Sequence, residues 1–302
     1  MLPRRRTGDG VVDSSEDTHA DALLPWPQEW PAPRPKLWIR LTVGYLCVLT
    51  LLTGGLGFWA LLSGQYRSAI FLFGGGVYLG LGTSLSLRLL RTRRHVSPTA
   101  ITLGKTGSAK NGIVIAYSDW LYGCLAILVL LTLAALTGLA LSGLAGWPVP
   151  PFSSAPGIVS TVVFSAAGLY FLWIVRDIAS GRLARGRVVL SPDGIYHRSL
   201  TFEHFAPWHA VHTISAEDIS GPLIVAKVSP SDHSQVRQTS RVGKQQEFKF
   251  LPHAAVRARS LKVDPAVLYH ALRYYHAHPG ARPELATDTG LRRIRTGDLL
   301  KV

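Results

Sequence analysis

Apolar residues gather into four long runs separated by short polar or basic segments. Between Asp119 and Arg176 there is no Asp, Glu, Lys, Arg or His, and the stretches from Arg40 to Arg67 and from Arg67 to Arg88 are equally free of charge. Each run approaches the ~20 apolar residues that carry a helix across the hydrocarbon core. The pattern predicts spans over about 41–62, 68–87, 120–146 and 157–175. Tyr66 and Arg67 sit in a loop so short that the first two spans must form a helical hairpin, and Trp147-Pro148-Val149-Pro150-Pro151 forbids one helix from running through the last two. Trp38, Trp59, Trp120, Trp147 and Trp173 fall at predicted span ends, where amphipathic rings favour the interface.

From residue 187 onward the period shortens. Runs at 187–190 and 195–199 flank Ser191-Pro192-Asp193-Gly194, a turn in which Pro presets φ and Gly admits positive φ. Further strands are expected at 202–207, 211–214, 223–228 and 247–251. A helix then opens with Asp264 as N-cap and Pro265 at its first position, carries Leu268, Ala271, Leu272 and Tyr275 on one face, and stops at Pro279-Gly280. The fold class expected is a membrane α-helical region of four transmembrane helices in two hairpins, joined to a cytoplasmic α+β domain.

These elements divide the chain into four parts. Residues 1–36 read as a disordered, Pro-rich cytoplasmic tail, because prolines and mixed charge leave too little apolar surface to offset ordering. Residues 37–179 read as the transmembrane region, with a basic cytoplasmic hairpin at 88–118 whose strands lie near 101–103 and 112–117. Residues 180–280 read as the cytoplasmic domain and 281–302 as a basic C-terminal tail. Ser97-Pro98-Thr99-Ala100-Ile101 and Ser191-Pro192-Asp193-Gly194-Ile195 each follow a helical hairpin, which leaves an internal duplication open beside chance.

Val189 to Ile195, followed by Phe205-Ala206-Pro207-Trp208-His209-Ala210-Val211, resembles the opening strands of bacterial pleckstrin-homology-like (PH-like) domains. The run from Asp264 to Leu285 is similar to the tails of actinobacterial multi-pass membrane proteins that carry such domains. The resemblance covers about the last third of the chain and implies a PH-like β-barrel closed by the C-terminal helix. Its motifs are structural, not catalytic. Where phosphoinositide-binding members of that class carry a basic first loop, this chain has Ser191-Pro192-Asp193-Gly194, so high-affinity inositol-phosphate recognition is not expected.

Composition sharpens this picture. Charged residues make up 17% of the chain, below the roughly 25% of soluble domains. The net charge of +14 is concentrated beside the apolar spans, so it reads as the positive-inside rule instead of a nucleic-acid surface. Arg88, Arg91, Arg93, Arg94, Lys105 and Lys110 fall in one loop, and Arg182, Arg185 and Arg187 follow the last span. This orientation puts both termini in the cytoplasm of a bacterial plasma membrane.

Candidate chemistry is sparse. Gly104-Lys105-Thr106 has Thr99 where a phosphate-binding loop needs Gly. His197, His204, His209 and His212 match no zinc spacing, and Cys47 and Cys124 sit singly in apolar spans. No catalytic, cofactor-binding or metal residues are therefore assigned. Arg91, Arg93, Arg94, Lys105 and Lys110 are the candidates for non-specific contact with anionic lipid headgroups. Gly76 and Gly80 form a GxxxG step that serves packing within the bundle or a homo-oligomer contact. The function expected is non-enzymatic, a scaffold or assembly surface for a protein partner. A transporter or channel component is the alternative, and a membrane-bound enzyme the third reading.

Overall fold

The computed structural model describes residues 24–31, 37–90, 100–105, 111–145, 157–219, 221–229, 234–242 and 246–300. Four helices are long and apolar enough to cross a membrane: α1 (Leu37–Leu62), α2 (Tyr66–Leu90), α3 (Asp119–Leu144) and α4 (Gly157–Ala179). α1 packs on α2 and α3 on α4, giving two hairpins. Small residues set the first contact. A Cβ on Gly57 would lie 3.3 Å from Leu72 Cβ, and Gly76 and Gly80 face Thr53 and Thr50 of α1. The GxxxG step is thus in contact inside this hairpin. Thr50 and Thr83 meet across it at 3.3 Å while each donates to a carbonyl one turn back, so both hydroxyls are satisfied in apolar surroundings.

The rest of the structure is a sheet domain. One antiparallel sheet has the order β1-β2-β3-β4-β5-β8: β1 (Ile101–Lys105), β2 (Asn111–Ala116), β3 (Arg187–Ser191), β4 (Gly194–Arg198), β5 (Phe202–Pro207) and β8 (Gln235–Gln238). A second contains β6 (Val211–Asp218), β7 (Pro222–Val228) and β9 (Ala254–Arg257). The hairpin between the second and third spans is therefore part of the domain. Its β2 pairs with β3 from Ile113 opposite Leu190 to Ala116 opposite Arg187. Gly112 permits the approach, since a Cβ there would lie 2.7 Å from the Leu190 carbonyl oxygen. Ile101, Ile113 and Ile115 from the hairpin enter the same core as Val188, Leu190 and Ile195.

Among the described residues the two sheets do not run on into one closed barrel. They are bridged at one corner, where Tyr117 pairs with Leu261. The run at 247–251, expected as a strand, is instead a 3-10 turn (Gln246–Phe250): Glu247 turns inward to Ser199 and Arg257, and Pro252 has no N–H for a ladder. β9 follows it and pairs with β7.

Helix α5 (Pro265–Ala277) opens as expected, with Asp264 accepting from the Ala266 N–H at 2.9 Å, and it buries Leu268, Ala271, Leu272 and Tyr275. The chain beyond it continues in ordered form. A 3-10 segment (Pro279–Ala286) and α6 (Asp288–Thr296) fold back, burying Leu285, Ile294 and Leu299 in the core. The basic residues of α6 mask that anchoring: Glu284 pairs with Arg293 at 2.7 Å and accepts from Tyr275 at 2.9 Å.

Residues 24–31, read from sequence as part of an unstructured tail, lie against the domain. Trp30 is buried, donates from Nε1 to the Leu223 carbonyl at 3.0 Å and packs on Tyr269. Leu24 packs near Gly297, and the His270 Nε2 to Pro25 carbonyl distance is 2.8 Å. The segment before α1, the hairpin between α2 and α3, and the chain after α4 thus share one domain. The start of α1, the end of α2, the start of α3 and the end of α4 consequently lie on one side.

Candidate functional site

Of the basic residues proposed from sequence to touch headgroups, Arg91, Arg93, Arg94 and Lys110 lie outside the described residues. Lys105 ends β1, exposed and opposite Asn111. The histidines separate: His197 and His204 face each other across β4 and β5, His212 Nδ1 sits 3.3 Å from the Ser229 hydroxyl, and His209 lies in a 3-10 turn. Among the described residues no three His, Cys, Asp or Glu side chains converge as metal ligands would.

The structure assembles polar groups instead where α3 leaves the domain. Tyr117 N–H donates to the Gly186 carbonyl at 3.0 Å, Ser118 N–H to Ser260 at 2.8 Å, and Lys262 N–H to Ala116 at 2.9 Å. These bonds fix the residues just before α3 to the approach to β3 and to the 3-10 turn (Ala258–Ser260) that follows β9. Asp119 then sits at the helix N-terminus, where a negative charge is favoured, and pairs with both Arg185 and Lys262. All three side chains are substantially exposed, so the pairs orient the junction more than they stabilise it.

Below Asp119 lies a cavity of about 110 Å³. Leu121, Leu125 and Leu200 contribute apolar walls, with Tyr117, Glu247 and Arg257 among its polar lining. Tyr117 Oη is 2.7 Å from His197 Nε2, both side chains being buried. Burial, followed by the neighbouring His204, lowers the His197 pKa to about 3, so the imidazole is neutral near pH 7. Burial, and then the nearby Glu247, raises the Tyr117 pKa well above its ordinary value. A neutral imidazole accepting from a phenol carries its proton on Nδ1, and that atom has no hydrogen-bond partner among the described residues.

Glu247 forms the second pair. It accepts from the Ser199 hydroxyl in a short contact, and Arg257 Nε stands 3.6 Å from its other oxygen. Burial raises its pKa, against the opposing pull of Ser199 and Arg257. The arrangement places two internally bonded polar pairs, Tyr117 with His197 and Glu247 with Ser199, beside apolar walls.

Sequence reasoning missed Tyr117 and Glu247 as partners. Tyr117 ends a hairpin before the third span and Glu247 lies in a run read as a strand; the Tyr117–Leu261 bridge after β9 and the contacts of Glu247 with Ser199 and Arg257 bring their segments together. No local spacing encodes that approach. The chain matches no protein-family model, no curated protein and no solved structure.

Proposed function

We propose that this chain is a non-enzymatic membrane protein whose sheet domain works as a scaffold or assembly surface at the cytoplasmic face of a bacterial plasma membrane. One observation carries the reading. In the most apolar window of each helix only 6% to 17% of residues are buried. The two hairpins pack internally and leave large side chains such as Leu51, Phe71, Leu130 and Val162 exposed, which is lateral surface for lipid or partner helices. A self-contained conduit would need a lumen lined by several helices, whereas α2 and α3 provide the limited contact between hairpins.

The domain suits an assembly role because three chain segments tie it to the helices, so a partner bound to it is held at a defined place near the bilayer. Two facing sheets followed by an amphipathic helix support the PH-like reading, and the basic loop containing Arg91 to Arg94 supports cytoplasmic placement. Purification of the full chain in mild detergent tests the function. Recovery of a defined protein partner, lost when β1 is altered by Thr102→Pro, is the expected outcome. A chain recovered alone that conducts ions in planar bilayers would overturn it.

A further inference from the structure

A second cleft lies away from the Tyr117 junction, between the end of α4 and the segment after β8. It is an open cleft of about 450 Å³, within the range of small-ligand sites. Trp173 and Asp177, one turn apart on α4, share a face, while Arg182, Gln238, Thr239, Ser240 and Arg241 complete the lining.

Its polar atoms are incompletely satisfied. Asp177 is 2% exposed, and its Oδ2 accepts from the Ser240 hydroxyl at 2.6 Å. Its Oδ1 is buried without a donor among the described residues, and so is the Thr239 hydroxyl without a partner. A buried carboxylate oxygen left unpaired is costly, and a donor cation relieves that cost. The C-terminal end of α4 adds to the local preference for positive charge, and the Trp173 ring supplies a face on which a cation is also favoured. Arg182 and Arg241 are exposed and show no ion pair among the described residues, so they offer donors for an anion beside that cationic position.

We infer that this cleft binds the zwitterionic phosphoethanolamine headgroup of a membrane lipid, with its ammonium donating to Asp177 and Thr239 and its phosphate held by Arg182 and Arg241. The cleft adjoins the last turn of a membrane-spanning helix, where Trp173 falls at the expected interface. Three N–H donors distinguish this head from phosphocholine, whose trimethylated nitrogen can lie over an indole but cannot donate to a carboxylate. Phosphoglycerol lacks the cation altogether.

The full chain, delipidated in detergent, is titrated with short-chain phosphatidylethanolamine, phosphatidylcholine and phosphatidylglycerol of equal chain length, and with free phosphoethanolamine. Native mass spectrometry reads the bound fraction. Phosphatidylethanolamine is expected to bind about tenfold tighter than phosphatidylcholine, the scale of one charge-assisted hydrogen bond. Free phosphoethanolamine should compete with the lipid, which separates headgroup recognition from acyl-chain adhesion. Asp177→Asn, which keeps the oxygen that accepts from Ser240, should bring the two lipids within about twofold of each other. The Arg182→Gln, Arg241→Gln double variant should weaken both lipids while preserving their order. Equal binding of the two lipids by the unaltered chain, or a preference that survives Asp177→Asn, would overturn the inference. If Asp177→Asn does not fold, the unaltered chain and the arginine variant still decide it.

Discussion

Tyr117 and Leu261 form an antiparallel bridge that joins the residue two before α3 to the segment leading into α5. Through this pair and the flanking Ser118–Ser260 and Ala116–Lys262 bonds, a helix long and apolar enough to span a membrane starts as the direct continuation of a sheet. Movement of α3 relative to the domain must break backbone hydrogen bonds.

The β2–β3 seam should therefore be sensitive to a single methyl group. Gly112→Ala places a Cβ against the Leu190 carbonyl and 2.9 Å from Val189 Cγ1, and backbone cannot yield cheaply. The expected loss is about 1–3 kcal/mol. Gly123→Ala, on α3 with nothing nearby, should leave the thermal midpoint in detergent unchanged or raise it. Equal midpoints for Gly112→Ala and the unaltered chain would show that the seam does not contribute.

Acid should weaken the domain through its buried histidines. His197 and His204 have folded pKa values lowered to about 3 and about 4, mainly by burial, from an ordinary 6.5. Between those values and 6.5 the unfolded chain takes up protons that the folded chain refuses, so stability falls as pH drops through this window. Glu247 acts with the opposite sign: its raised pKa favours the folded state at low pH and that benefit fades as pH rises through the raised value. The unfolding midpoint should thus drop from about pH 7 to about pH 5, with His197→Gln removing about half of the fall because His204 remains. A midpoint independent of pH over that range would contradict the neutral state of these rings.

The strap formed by residues 24–31 should be anchored chiefly by Trp30. Trp30→Ala removes the bond to Leu223 and the packing against Tyr269, with an expected cost of about 3 kcal/mol. Limited proteolysis before α1 should accelerate in that variant and not in Glu29→Ala, whose side chain is exposed. Unchanged cleavage in both would mean that the strap is held elsewhere.

Orientation can be read with single thiols in a chain whose Cys47 and Cys124 are replaced by Ala. The Ser63→Cys variant, in the α1–α2 turn, should react with an impermeant maleimide in intact cells. Asp193→Cys, in the β3–β4 turn, should react only after permeabilisation. The reverse pattern would turn the protein over in the membrane.

Much of the architecture was legible in the sequence, and what escaped shares a cause. The four spans are marked by uninterrupted apolarity, the β3–β4 hairpin by its Ser191-Pro192-Asp193-Gly194 turn and α5 by the Asp264-Pro265 start, all local signals. Residues 24–31 contain prolines and look unstructured, yet two indoles find a groove provided by distant strands and α5. Residues 288–296 read as basic tail because Arg292, Arg293 and Arg295 dominate, while a single Ile294 supplies the anchor. At the junction, Tyr117 and Glu247 gain meaning only from the bridge to Leu261 and from Ser199 and Arg257, which lie far away in sequence. Long-range pairing leaves no periodic trace, so neither the six-stranded sheet nor the cavity beside α3 could be counted out from spacing.

The insertion of β1 and β2 between two membrane hairpins also sets an order for biosynthesis. Synthesis delivers this pair before α3 and α4, and its sheet partner β3 follows both in the chain. During that interval Ile113 and Ile115 have β1 on one side and nothing on the other, a burden that long-range pairing places on slow steps and on chaperones. A fragment beginning at Arg187 would keep β4 but lack β1 and β2, leaving the other side of β3 as an open apolar edge prone to self-association. The domain is thus finished late: two long apolar helices must be made before the nascent sheet can complete its register.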